Sequence, residues 1–322
     1  MIYTSDLEFI NVKLHLPIVV SLLGIVMITL AGLIRTFLTT RVLFNILPMK
    51  LSRKRMPITF RNGLTYQLTW PEFRILRDHY SLMQKYAIKQ VGDNLFEIQD
   101  GELKLIGSLH ALLEFEAMEN GMYYCDCDGK VVLDVGGYQG ESAVFFSKMG
   151  AKKVIIYEPV ISHHRFIKQN IALNRVNAEI HCEGIGDKNG TQMVSYEEPD
   201  LAFGLLSKGR NIMEIKIRDV AEVIEKSGAN VAKIDCEGAE KSLINVSSEI
   251  LRKIEFYLIE VHTPEIRRAL IEKFRASNFS LEKEMEFNVS LSVMFFKRNF
   301  AAESAEEPLE MGLMPELALI EH

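Results

Sequence analysis

The chain predicts an α/β fold built on a parallel sheet, and three observations carry that reading. From Val131 onward, short apolar runs alternate with segments of helical periodicity. The first run, Val131-Val132-Leu133, breaks directly after Asp134 into a glycine-rich turn. Later runs end in polar residues at Glu158, Asp235 and His262, and the carboxyl ends of strands are where open α/β sheets bind ligands.

In the turn, Gly136, Gly137 and Gly140 let the backbone bend tightly and approach a ligand, and helical periodicity resumes over 142–149. A dinucleotide fingerprint ending at Gly140 needs glycines at 135, 137 and 140. Position 135 is Val, so that spacing fails and the turn suits a smaller adenosyl cofactor. The second strand, in VIIYEP over 154–159, ends in Glu158, 24 residues past Asp134. An acid there can accept hydrogen bonds from both hydroxyls of a ribose.

The remaining elements follow in order. Strand 131–135, helix 141–149, strand 153–157, helix 161–174 and strands 178–182 and 192–195 come first. Strand 213–217, helix 219–227, strand 231–235, helix 239–252, strand 255–261 and helix 264–276 continue the alternation of a Rossmann-like sheet. Phe279 to Phe287 and Val289 to Lys297 read as an antiparallel hairpin around Asn288. VAKIDCEGAE ends in a burst of acids, Asp235, Glu237 and Glu240. In YLIEVH the strand period of two puts Glu260 and His262 on one face, so Asp134, Glu158, Asp235 and His262 should gather on one rim. Ahead of the sheet, strands near 58–60 and 64–68 and helices near 73–86 and 110–120 form a cap that ends at Tyr123 and Tyr124. Those tyrosines either pack at a strand edge or stack on a substrate face.

The order DVGGYQGES, YEP, EGIGDKNG, KIDCEGAE, IEVH resembles the FkbM family of S-adenosylmethionine-dependent methyltransferases over roughly residues 56 to 298, with KIDCEGAE the most specific element. The resemblance implies a seven-stranded class I methyltransferase sheet with a terminal antiparallel hairpin. It also implies O-methylation, usually of hydroxyls on sugars or polyketides. One departure is the Gly136-Gly137 pair, where the family more often shows Gly-Ala; the change is mild and leaves the pocket intact.

On this reading Asp134 and the turn glycines Gly136, Gly137 and Gly140 take the methionine end of S-adenosyl-L-methionine and Glu158 its ribose, while Glu183 and Gly184 lie by the adenine. Asp187 is a weaker candidate there, because Asp-Lys-Asn-Gly is also a good turn sequence. Asp235, Glu237 and His262 are the catalytic candidates, with His262 expected as a neutral general base at cytoplasmic pH. Glu237 and Glu240 also suit the first turn of a helix, and a strand-end histidine is as often a packed residue. Asp235, Glu237 and His262 suit a divalent metal only loosely, so no metal is assigned. His163 and His164 read as surface residues at a helix entry.

Composition restricts the alternatives. The 322 residues are 48% hydrophobic and 25% charged, enough for one large catalytic domain with appendages. Six glutamates and no Lys or Arg lie in 301–322, which accounts for the whole net charge of −6, and no basic surface signals a nucleic-acid partner. Cys125, Cys127, Cys182 and Cys236 are too few and too irregular for a disulfide framework or a four-ligand zinc site.

Leu16 to Ile34 contains 19 uncharged residues, about 28 Å as a helix against a hydrocarbon core of about 30 Å, and reads as a transmembrane helix. A signal peptide fits less well, since Asp6 and Glu8 precede the run and no small-residue cleavage site closes it. A buried soluble helix is the remaining alternative. Arg35, Arg41, Lys50, Arg53, Lys54, Arg55 and Arg61 follow with no acid over 35–61, which places the catalytic domain in the cytoplasm. The chain thus divides into a short segment 1–15, a membrane span 16–34, a basic linker 35–55, a cap 56–130, a methyltransferase domain 131–298 and an acidic, disordered tail 299–322. The expected function is a membrane-anchored O-methyltransferase acting on a sugar hydroxyl of a lipid-linked or surface glycan. Two rivals remain: a nucleotide-sugar or NAD-dependent oxidoreductase, which lacks its glycine at Val135, and a noncatalytic membrane-tethered scaffold, which need not keep Glu158 and Asp235 together.

Overall fold

The computed structural model describes Thr40, residues 54–196 and residues 211–300. The expected membrane span and the acidic tail from Ala301 lie outside the described residues. Among the described residues no helix is long and apolar enough to cross a membrane.

The chain falls into two units, one ending at Leu113 and the other beginning at Glu114. In the first, β1 (Met56–Thr59) and β2 (Thr65–Leu68) form an antiparallel hairpin, followed by α1 (Trp70–Asp78) and α2 (Leu82–Lys85). The single helix expected over 73–86 is therefore two. Arg55 and the backbone of Thr69 both hold Glu72 in the first turn of α1, and the chain leaves that helix at His79. The strands β3 (Ala87–Gly92), β4 (Leu95–Asp100) and β5 (Leu103–Gly107) then make an antiparallel meander absent from the sequence reading. Its tight turns place Asn94 at φ 48° and Gly101 at φ 60°, the left-handed conformation that Asn and Gly tolerate. α3 spans Leu109–Glu119.

The second unit is built on seven strands. They are β6 (Val131–Val135), β7 (Lys153–Tyr157), β8 (Ala178–His181), β12 (Val231–Ile234), β13 (Phe256–Val261), β14 (Phe279–Glu286) and β15 (Ser292–Arg298). Their order across the sheet is β8-β7-β6-β12-β13-β15-β14, parallel except where β15 runs antiparallel to both β13 and β14. The chain steps outward from β6 to β8 on one side, then returns to lay β12 and β13 on the other. The strand direction of winding reverses between β6 and β12, and ligands bind at such a switch point. Helices α4 (Glu141–Lys148), α5 (His164–Asn174), α6 (Val220–Ser227), α7 (Ser248–Leu251) and α8 (Pro264–Ala276) complete the layers. Leu133, Val135, Ile234, Ile259 and Val261 pack with Leu243, Leu270, Phe274 and Phe296, and the Phe274 and Phe296 rings stack at 4.3 Å.

Two elements differ from the sequence expectation. The runs at 192–195 and 213–217 do not join the main sheet. They belong to β10 (Gly190–Tyr196) and β11 (Asn211–Asp219), which with β9 (Gly184–Gly186) form a separate ribbon of order β10-β11-β9. Met193 and Ile212 are exposed there, whereas all four residues of β12 are buried; strand periodicity alone does not say which sheet a strand enters. The helix expected over 239–252 is a 3₁₀ helix, Ala239–Asn245, followed by α7. Val246 adopts extended backbone between them, and the Ser247 hydroxyl accepts from the Ile250 amide to start the second helix.

Candidate active site

The rim is assembled by the loops that leave β6, β7, β12 and β13. After β6 the chain turns at Gly136, φ 80°, where a side-chain Cβ would lie 1.7 Å from the Asp235 carbonyl oxygen. Gly140, φ 89°, starts α4, and a Cβ there would meet the Ile167 backbone at 3.0 Å. The Gly136 amide donates to the Tyr157 carbonyl at 2.8 Å and the Gln139 amide to Glu141 at 3.0 Å, so the loop is fixed by its own bonds.

Asp134 is fully buried. Its Oδ2 accepts from the Ser142 hydroxyl at 2.6 Å, while Oδ1 lies 3.3 Å from Lys233 Nζ and accepts no hydrogen bond from a described residue. Burial pushes this carboxyl above its ordinary range, and Lys233 and Ser142 partly oppose that. Glu158, just past β7, is also buried. It accepts from the Tyr138 amide at 3.0 Å and the Val160 amide at 2.9 Å, and His163 Nδ1 lies 3.2 Å away. His164 Nε2 sits 2.7 Å from the Glu158 carbonyl. Both histidines are buried, which corrects their reading as surface residues: His163 caps α5 and His164 begins it, and both turn toward Glu158. Glu183 accepts from Arg218 Nε at 2.8 Å, and Gly184 pairs with Ile217 in the ribbon. Asp187 accepts instead from Asn245 at 2.9 Å.

The second half of the rim centres on a residue without a sequence-level role, Lys233. By strand alternation it shares a face with Asp235, and its side chain is almost wholly buried. Nζ donates to the Gly136 carbonyl at 2.6 Å and lies 3.3 Å from Asp134 and 3.4 Å from Asp235. Burial alone would lower its pKa, but Asp134, Asp235, Glu141 and Glu260 outweigh that and raise it, so the ammonium stays charged. Lys233 therefore ties the turn after β6 to the loop after β12.

Of the two tyrosines that end the cap, Tyr123 takes the packed alternative and is fully buried, while Tyr124 is exposed. The Tyr123 hydroxyl donates to Glu260 at 2.7 Å and lies 3.4 Å from Asp235. Beyond Asp235, Glu237 is held at φ 52° and Gly238 at φ 100°, consecutive left-handed residues that turn the chain away from the strand. Glu240 is fully buried; one oxygen accepts from the Gly238 amide at 2.7 Å, and the other lies 3.1 Å from His262 Nδ1 and accepts from the His262 amide at 3.2 Å. His262 Nε2 faces Glu237 at 3.5 Å and Glu260 at 3.6 Å.

These contacts alter the expected chemistry of His262. Burial lowers its pKa, but the hydrogen bond and charge of Glu240, then Glu237 and Asp235, outweigh it and push it up to about 9. In this arrangement the ring is an imidazolium at neutral pH and not the neutral base expected. Glu260 moves the same way, pushed up to about 8 by burial and by Asp235. The unfolded chain releases these protons near about pH 4.3 and 6.5, so the folded chain binds more protons up to about pH 9. Its stability in metal-free buffer should fall as pH rises from about 6.5 to 9. Denaturant midpoints of wild type and His262→Gln check this: the wild-type midpoint should drop across the window and the variant's less steeply, whereas a level or rising wild-type midpoint contradicts it.

The structure thus brings Asp134 and Gly136 together with Asp235 through Lys233, sets Gly137 beside Asp134 and Gly140 against Ile167, and joins Asp235 to Glu260, Glu237 and His262 through Tyr123 and direct approach. Glu183 and Gly184 stand with the ribbon after β8.

No curated protein matches the chain at a significant level. Among solved structures, the chain is similar to M. jannaschii TYW2 in complex with AdoMet, at 12% identity, covering 66% of this chain and 90% of that one with a TM-score of 0.39. It is also similar to precorrin-6y C5,15-methyltransferase from Geobacter metallireducens, at 11% identity, 58% and 88% coverage and a TM-score of 0.36. For ribosomal protein L11 methylase from Lactobacillus delbrueckii the figures are 14%, 59%, 78% and 0.32. Likenesses this distant carry no weight beside the strand order. The family model of the methyltransferase FkbM domain, in contrast, matches residues 134–285, a span that runs from Asp134 through Glu158, Asp235, Glu260 and His262 to the β14 strand. Residues 134–285 thus carry a methyltransferase FkbM domain, and the chain is an S-adenosylmethionine-dependent methyltransferase.

Proposed function

We propose that this enzyme transfers a methyl group to a sugar hydroxyl of a lipid-linked or surface-destined glycan, working at the cytoplasmic face of a membrane to which residues 16–34 anchor it. The observation that carries the acceptor class is the convergence of Asp235, Glu237, Glu260 and His262 at the carboxyl ends of β12 and β13. Such groups hydrogen-bond hydroxyls and exclude an apolar acceptor. The anchor rests on the uncharged run from Leu16 to Ile34 and the basic residues that follow it.

S-Adenosylmethionine supplies an electrophilic methyl group on a sulfonium. The residues fit it: Oδ1 of Asp134 is a buried acceptor to which no described residue donates a hydrogen bond, with Lys233 Nζ at 3.3 Å showing that it suits an ammonium, and the turn from Gly136 to Gly140 brings backbone to the same place. Glu158, held by two backbone amides, would accept from the ribose hydroxyls, and Glu183 and Gly184 would border the adenine. Asp235, fixed by Lys233, orients the acceptor hydroxyl. Glu237, the most exposed carboxylate of the group, takes its proton. Positioning of this kind is worth about 7–11 kcal/mol in good cases and a general base about 100 to 10,000-fold, so positioning dominates.

Glu158→Ala should weaken S-adenosylmethionine binding by about 1–3 kcal/mol through the lost ribose bonds. Calorimetry decides it, and equal affinity in the variant, or preference of the wild type for NAD, removes the assignment. For topology, a Thr4→Cys chain in intact cells should react with an impermeant thiol reagent added outside; protection of that cysteine overturns the anchor's orientation. The acceptor itself is read by mass spectrometry of glycans and lipids from a deletion strain, where one species should lose the mass of a methylene. An unchanged glycan and lipid profile contradicts the glycan reading.

A further inference from the structure

We propose that Asp235, Glu260 and His262 bind one divalent cation of the Mg²⁺ or Mn²⁺ class. One ligand atom from each lies within 4.8 Å of the others, a spread that a hard ion closes when its ligands draw in to about 2.0–2.6 Å. Each residue also has its other polar atom already committed. Asp235 Oδ2 faces Lys233 and Tyr123, both at 3.4 Å; Glu260 Oε2 accepts from Tyr123 at 2.7 Å; His262 Nδ1 lies 3.1 Å from Glu240. Asp235 Oδ1, Glu260 Oε1 and His262 Nε2 take no part in those bonds.

What separates this group from a chance gathering of acids is the shell behind it. A histidine that ligates a metal nearly always gives its other ring N–H to a carboxylate or carbonyl, which fixes both tautomer and ring plane. Glu240 stands in that place, wholly buried and itself held by the Gly238 amide at 2.7 Å. Tyr123, also wholly buried, does the same for Glu260. Glu237 Oε2, 3.5 Å from Nε2, borders the site as its proton acceptor. The donor set is two carboxylate oxygens and one imidazole, which suits Mg²⁺ or Mn²⁺ over a thiolate-seeking ion, since the nearby Cys236 Sγ turns toward Glu240 at 3.9 Å.

The ion's catalytic use rests on the hydroxyl-methylation reading. Bound to the acceptor hydroxyl it lowers that group's pKa. The O–H proton passes to Glu237, the oxygen forms the new O–C bond, and the C–S bond breaks with its electron pair left on sulfur as a thioether.

Mn²⁺ alone, without acceptor, tests the site independently of that chemistry. Full-length chain in detergent, stripped with chelator and dialysed, is titrated with Mn²⁺ by electron paramagnetic resonance. One Mn²⁺ should bind per chain, with ¹⁴N modulation in the pulsed spectrum. Asp235→Asn and Glu260→Gln should each weaken binding by about tenfold or more, and His262→Gln should abolish the ¹⁴N modulation. No saturable Mn²⁺ binding by stripped wild type overturns the proposal, as does undiminished binding in all three variants. Saturable binding with no methylene lost from any glycan leaves the site standing and removes only the hydroxyl reading.

Discussion

Replacing Lys233 with methionine should destabilise the methyltransferase domain by about 3–5 kcal/mol, the cost of removing one partner from a buried ionic group. The ammonium is almost wholly buried and lies 3.3 Å from Asp134 and 3.4 Å from Asp235, with Glu141 and Glu260 adding to its field. Methionine preserves the volume and leaves Asp134 fully buried without its counter-charge. It also removes the bond to the Gly136 carbonyl, which holds the turn after β6. Denaturant unfolding measures the loss. Asp134→Asn in the same chain should recover part of it, because the two positions interact directly and their effects are not additive. A Lys233→Met chain within about 1 kcal/mol of wild type would show that the ammonium is dispensable to the fold.

Asp235→Asn should lower turnover by about 100-fold or more while S-adenosylmethionine affinity stays within about threefold. The reason is location. Asp235 lies at the end of β12 toward Glu260 and His262, while the carboxyl that should face the ribose, Glu158, follows β7, two strands away in the sheet. The amide keeps the size of the carboxyl and loses its charge. His262→Ala should also reduce turnover by about 100-fold with little effect on affinity, through loss of the group that orients Glu237 and Glu260. Near-normal turnover in that variant would make His262 a packed strand-end residue.

Much of this site was legible because strand ends and turns have strong local signals. The glycines after Asp134, the acid after β7 and the burst Asp235-Cys236-Glu237 each follow an apolar run, and the fold carries such positions to one rim. The strand order with β15 antiparallel agrees with the sheet that the family resemblance implied. Lys233 was not legible as a tether, since a lysine inside an apolar strand reads as an interruption until its partners from β6 are known. Tyr123 precedes β6 and Glu240 follows β12, and their bonds to Glu260 and His262 span over a hundred and about twenty residues of chain respectively. Local periodicity carries no information at that range. The protonation of His262 was misread for the same reason: its reference pKa is a property of the residue, but three carboxylates from another loop set its actual value.

The measurement that bears most directly on the account is single-turnover methyl transfer from S-adenosylmethionine carrying a labelled methyl group. The acceptor source is a membrane glycolipid extract from cells lacking this chain, and wild type and Asp235→Asn are compared at saturating cofactor. Label should appear in a glycan fraction with wild type and at least about a hundredfold more slowly with the variant, although both chains bind the cofactor alike. Equal labelling rates, or label that appears only in protein or nucleic acid, would contradict it.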